Sequence, residues 1–139
     1  MIKELVTDEA LLSTPCEPAT VEDIAVATDL TDTLASLENA GCLAANQIGV
    51  TRALFAFEDE SGAVRVMANP KVLFGLGADK VEESCLTHEG ISRVTRYVKI
   101  KLSYDEFVDG ELRHRKGEFV GWEAQMIQHM ADHCAGKLV

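Results

Sequence analysis

The stretch "QMIQHMADHCAG" (residues 125–136) sets His129 and His133 four residues apart. On a helix that spacing stacks two imidazoles on one face, where both can grip a single metal ion. Hydrolytic metal helices of this spacing carry a glutamate base directly after the first histidine. Here that residue is Met130, a thioether with no acid–base chemistry at neutral pH. Taken alone the pair is equally compatible with two surface histidines, and a metal needs a further ligand. Cys85 in "EESCLTHEG" is the candidate, although cysteine more often serves as a small buried hydrophobe.

These residues need a helix to carry them. At 100° per residue, a helix over about 119–135 puts Val120, Ala124, Ile127, Ala131 and Cys134 on one side, the expected core face. Trp122, Met126, His129 and His133 form a stripe opposite, with Met130 flanking it. Core on one side and pocket on the other is the arrangement this predicts. Gly136 is placed to end the helix. An earlier helix is expected over about 21–38, with Thr20 as N-cap, Asp23 at its positive end and Gly41 helping to end it. Its apolar face reads Ile24, Ala27, Leu30, Leu34 and Leu37. Before it, the two prolines of "LLSTPCEPAT" predict an extended arm.

Between Arg52 and about Arg115 the period changes. "RALFAF", "AVRVMA", "KVLFG" and "RVTRYVKIKLSY" are short runs rich in β-branched and aromatic residues. Turn signals at Ser61-Gly62, Asn69-Pro70 and Asp109-Gly110 separate several of them. Val98, Ile100, Leu102 and Tyr104 alternate with Lys99, Lys101 and Ser103, the pattern of a half-buried antiparallel strand. The class is α+β, in one domain spanning 1–139.

Composition narrows the function. The chain has 139 residues, 47% hydrophobic and 26% charged, the profile of a globular protein. A formal charge of −10 speaks against a nucleic-acid partner. No apolar run approaches the roughly 20 residues of a membrane span, and the N-terminus has no signal core. Cys16, Cys42, Cys85 and Cys134 form no CxxC pair. Reduced thiols and a cytoplasmic location are expected, leaving one thiol free to act as a ligand.

Three stretches, "GCLAANQIGV" (41–50), "EESCLT" (82–87) and "QHMADH" (128–133), resemble in order and spacing the signature motifs of the peptide deformylases. "LSTPCEPAT", "DLTDTL", "MANP", "VTRYVKI" and "GWEAQMIQH" resemble that family too, so the similarity runs along the whole chain. The resemblance implies antiparallel sheets packed around a long C-terminal helix that carries the histidine pair. It implies Cys85, His129 and His133 as ligands of one divalent metal, Fe2+ in the family, with Zn2+, Ni2+ or Co2+ also accepted. It implies a reaction, removal of the formyl group from the N-terminal formyl-methionine of nascent polypeptides. The partners would then be formyl-Met or Met-initiated peptides, including nascent chains at the ribosome.

By the same resemblance Gln47 and the Leu86 backbone N–H hold the formyl oxygen as charge develops on it. Gly41 and Cys42 lie beside the substrate backbone, and Trp122 and Met126 line the methionine pocket. Asp132 is placed to orient a ligand histidine, and Glu83 and Arg96 look like supporting residues. Three departures stand out: Met130 at the family's catalytic glutamate, Cys42 at a glycine, and Ser84 at the glycine before the ligand cysteine. Loss of a general base costs typically about 10²–10⁴-fold. The expectation is weak or absent hydrolysis, with Glu89 or His88 as the nearest substitutes for the base. The alternative is a non-catalytic protein that keeps the metal and binds Met-initiated peptide N-termini.

Overall fold

One antiparallel sheet carries a helix on each face. The computed structural model describes residues 1–38 and 40–139, and of His88 and Glu89 the backbone alone. The strands are β1 (Cys42–Ala44), β2 (Leu54–Glu58), β3 (Val64–Cys85), β4 (His88–Val108) and β5 (Glu111–Val120). They pair in sequence order, each antiparallel to the next. The helices are α1 (Glu9–Leu12), α2 (Ile24–Ser36) and α3 (Gly121–Cys134). The expected α+β class with its C-terminal helix is what forms, built on one five-stranded sheet. No helix among the described residues is long and apolar enough to cross a membrane.

β2 shows how the layers are made. Phe55 and Phe57 join Met67, Ile100, Leu102 and Phe119 in a core with Ala124, Ile127 and Met130 of α3. Leu54 and Ala56 point the other way, into a second core with Ala27, Leu30 and Leu34 of α2. Alternation along the strand feeds both faces, so all four residues are fully buried. A continuous apolar run is therefore the sequence mark of this strand.

β3 must serve α3 at both of its ends, and simple alternation cannot do this. Met67 sits in the α3 core and Val72 packs against it, while Glu83 bonds His129 of α3. The separations of 5 and 11 residues are both odd, which in an unbroken strand means opposite faces. Register shifts at Ala68/Lys71 and Val72/Phe74 resolve the conflict. Each inserts one residue and exchanges the faces of all that follow.

The helix starts and ends differ in detail from the periodic reading. Thr20 caps as expected, its side chain accepting from the Glu22 N–H while Asp23 reaches back to the Thr20 N–H. A 3-10 turn (Val21–Asp23) precedes α2, so Ile24 opens the helix pointing to solvent, and Thr33 joins Ala27, Leu30 and Leu34 on the buried side. The helix closes at Ser36, too early for Gly41 to end it. The N-terminal arm contains the short helix α1, capped by Asp8, which buries Leu12. At the other end α3 starts at Gly121, leaving Val120 at the end of β5 and exposed. Gly136 ends α3 at φ +79°, where its N–H bonds the His133 carbonyl. A Cβ there would also meet the Pro15 nitrogen at 2.7 Å. The arm thus lies directly on the end of the helix that carries the histidines.

Candidate metal centre and peptide pocket

Three elements bring the chemistry together. α3 supplies His129 and His133, both buried, with their rings 4.8 Å apart. β3 ends at Cys85, and the turn between β3 and β4 carries Leu86 and Thr87. The 3-10 turn Ala45–Ile48 buries Gln47 beside them.

The His133 and His129 Nε2 atoms stand 3.1 Å apart, and Cys85 Sγ lies 3.3 Å from His133 Nε2. All three donor atoms fall within 4.8 Å of one another. Nitrogen and sulfur ligands at about 2.0–2.1 and 2.3 Å from a tetrahedral centre stand about 3.4–3.6 Å apart. The His129–His133 and Cys85–His133 separations come within a few tenths of an ångström of that, and thiolate plus two imidazoles suits a borderline divalent transition metal. The residues fit the ion.

Electrostatics prepare the donors. Burial alone raises the Cys85 thiol, but hydrogen bonds from His129, His133 and Thr87 bring it down to about 5. Burial works against a charged His129, yet its bonds to Cys85 and Glu83 lift it to about 9. Both shifts run in the direction that favours thiolate beside imidazolium when no ion is bound.

Glu83 is the carboxylate that orients the site. Its Oε1 accepts from His129 Nδ1 at 2.8 Å, which leaves Nε2 facing Cys85 and His133. Arg96 donates to both Glu83 oxygens through Nε and Nη2, and Gln125 Nε2 adds a bond at 3.0 Å. Burial opposes this charge too, but His129, Arg96 and Gln125 hold the Glu83 carboxyl at about 2. Asp132, expected against a ligand histidine, instead accepts from Arg96 Nη1 at 2.7 Å. Its side chain turns outward from the helix, so its influence on His129 passes through Arg96 and Glu83.

A cavity of ≈ 360 Å³ opens beside the donors. Gly41, Cys42, Gln47, Leu86, Trp122, Met126 and Met130 all line it, with Cys85 and His129. Trp122 is 68% exposed and Leu86 46%, so both form the rim rather than the floor. Met130 is only 1% exposed and belongs to the α3 core as well. A Cβ at Gly41 would come within 3.0 Å of Met126 Sδ, so glycine there lets the thioether sit against the strand. Cys42 is shielded enough that its thiol is pushed up to about 12, and it stands outside the donor cluster.

The carboxylates lining the cavity among the described residues are Glu82 and Glu83. Both Glu83 oxygens are taken, and Glu82 is exposed. The side chains of Glu89 and His88 lie outside the described residues. Three partners have no mark in sequence. Thr87 contacts Cys85 and Gln47, Gln125 braces Glu83, and Asn46 donates to the His133 carbonyl at 2.9 Å. Polar side chains of this kind are read only once their neighbours are known.

Comparison with known proteins agrees with this geometry. Residues 2–139 match the family model for polypeptide deformylase. A peptide deformylase of Clostridium beijerinckii is 38% identical over 140 residues, covering all of both chains. A peptide deformylase of Chlorobium phaeobacteroides is 36% identical over 116 residues, 76% of this chain but 59% of that longer protein. The crystal structure of peptide deformylase from Thermus thermophilus superposes with a TM-score of 0.85 at 29% identity, covering 99% of this chain and 83% of that one. The match runs from end to end of the sheet and helices just described, and the chain belongs to the peptide deformylase family.

Proposed function

We propose that this protein holds one divalent metal through Cys85, His129 and His133, binds the N-termini of formyl-Met and Met-initiated peptides, and deformylates them slowly. The metal is Fe2+ by resemblance to the family, and the substrates are nascent polypeptides. The observation that carries this reading is Met130, buried in the cavity wall beside an intact donor set.

When bound, the metal supplies Lewis-acid chemistry, polarising a carbonyl and lowering the pKa of water. The chain supplies the rest. Gln47 and the Leu86 backbone N–H are assigned to the formyl oxygen, where donors count most as charge develops. Trp122 and Met126 receive the methionine side chain, thioether against aromatic and thioether surface. At the position where the family carries its glutamate there is no group to take a proton from water and return it to the leaving amine. Met130 offers no proton site, and the Glu83 carboxylate is committed to His129 and Arg96.

Turnover of a formyl-Met peptide by iron-loaded protein, kept anaerobic, tests the reading. Slow but metal-dependent release of formate is expected. Release at the same rate from a Cys85→Ser, His129→Ala variant would overturn it.

A further inference from the structure

Thr87 sits in the turn after the ligand strand, 5% exposed, with Cys85 and Gln47 on either side of its hydroxyl. Proton accounting fixes the direction of every bond there. Gln47 Oε1 accepts the Ala44 N–H at 2.9 Å, so its Nε2 is the end that faces the site. That nitrogen can only donate, and it lies 3.1 Å from Thr87 Oγ1 and 3.3 Å from Cys85 Sγ. Thr87 therefore accepts from Gln47 and keeps its one proton. A cysteine that binds metal does so as a thiolate, which has no proton to give. The Thr87 hydroxyl, 3.5 Å from Cys85 Sγ, must then be the donor.

We infer that Thr87 is a positioning residue with two tasks: it locks one Gln47 N–H in place, and its hydroxyl donates to the Cys85 thiolate that holds the metal. This rests on the metal reading above. Because the amide is planar, the same lock fixes the second Gln47 N–H toward the sulfur, where an incoming carbonyl oxygen can share it. While it is shared, the thiolate keeps the Thr87 hydrogen bond. Partners of this kind tune a metal through its ligand, here by drawing electron density from sulfur.

Cobalt substitution separates this role from a packing role. Thr87→Val keeps the shape and removes the hydroxyl, and Thr87→Ser restores it. The thiolate-to-cobalt charge-transfer band should move to longer wavelength in Thr87→Val and return to the wild-type position in Thr87→Ser. The d–d bands, which report ligand geometry, should stay in place in both. A charge-transfer band unmoved in Thr87→Val, or moved together with the d–d bands, would overturn the inference. So would a Ser variant shifted as far as the Val variant. Wild-type protein that takes up no cobalt would overturn the metal reading itself, and this inference with it.

Discussion

Glu83 Oε1 and His129 Nδ1 lie 2.8 Å apart across the gap between β3 and α3. A carboxylate only accepts, so Nδ1 donates and Nε2 is left facing Cys85 and His133. One bond therefore sets both the tautomer and the aim of the ring. It also ties the stability of the helix–sheet contact to pH.

The sign of that tie follows from the shift. Glu83 is held at about 2 against an ordinary 4.5. A lowered carboxyl pKa contributes stability that is fully present above the ordinary value and lost as pH falls through the folded one. His129 is raised to about 9 from 6.5, so its contribution is complete below 6.5 and disappears as pH rises through 9. Metal-free wild type should resist urea better than Glu83→Gln at neutral pH. The gap between their midpoints should narrow from pH 4.5 down toward 2, and a gap that stays constant across that range contradicts the assignment.

Freshly purified protein should contain one metal per chain by elemental analysis. The Cys85→Ser, His129→Ala variant should contain almost none, because a lone imidazole cannot hold the ion against buffer. Stoichiometry that stays near one in that variant would mean that the ion sits elsewhere.

Met130→Glu should raise deformylation at least about 10²-fold, the lower range for restoring a general base. The gain carries a cost, since Met130 is almost fully buried in the α3 core. A carboxylate there is desolvated, so the metal-free variant should melt below the wild type. Metal should restore part of the loss. Equal turnover in wild type and variant, with normal metal content in both, would show that another residue supplies the base.

Calorimetric titration should show tighter binding of short peptides that start with Met than of matched peptides that start with Lys or Asp. The Trp122, Met126 and Met130 wall is apolar, and a charged first side chain would lose water against it. Equal affinities would remove the case for a methionine pocket.

His129 and His133 are visible in the sequence because a helix repeats every three to four residues, and α3 is unbroken from Gly121 to Cys134. Glu83 is marked as a supporting residue by the family resemblance, but its bond to His129 cannot be derived from the strand period. Reading β3 by twos from Met67 puts Glu83 on the same face, as observed, but puts Val72 on the wrong one. The two register shifts cancel over that span, and nothing in "ANPKVLFG" marks both of them. Trp122 shows a different limit. Helical phase places it on the pocket side, but its depth depends on where β5 ends and α3 begins, and it lies at the rim. Asp132 falls next to His133 in the sequence yet reaches Arg96, because adjacent residues on a helix point about 100° apart.

The two irregular points in β3 also govern how the chain tolerates insertions and deletions. Residues from Phe74 to Ser84 keep one constant register with β4. Removing one residue inside that stretch turns Glu83 away from His129, unless the ladder slides and a shift point absorbs the change. Removing the extra residue at Leu73 straightens the strand and leaves every downstream pair as it was. Variation in strand length that keeps Glu83 facing His129 is therefore expected to gather at 69–70 and 73, and to be absent from 74–84.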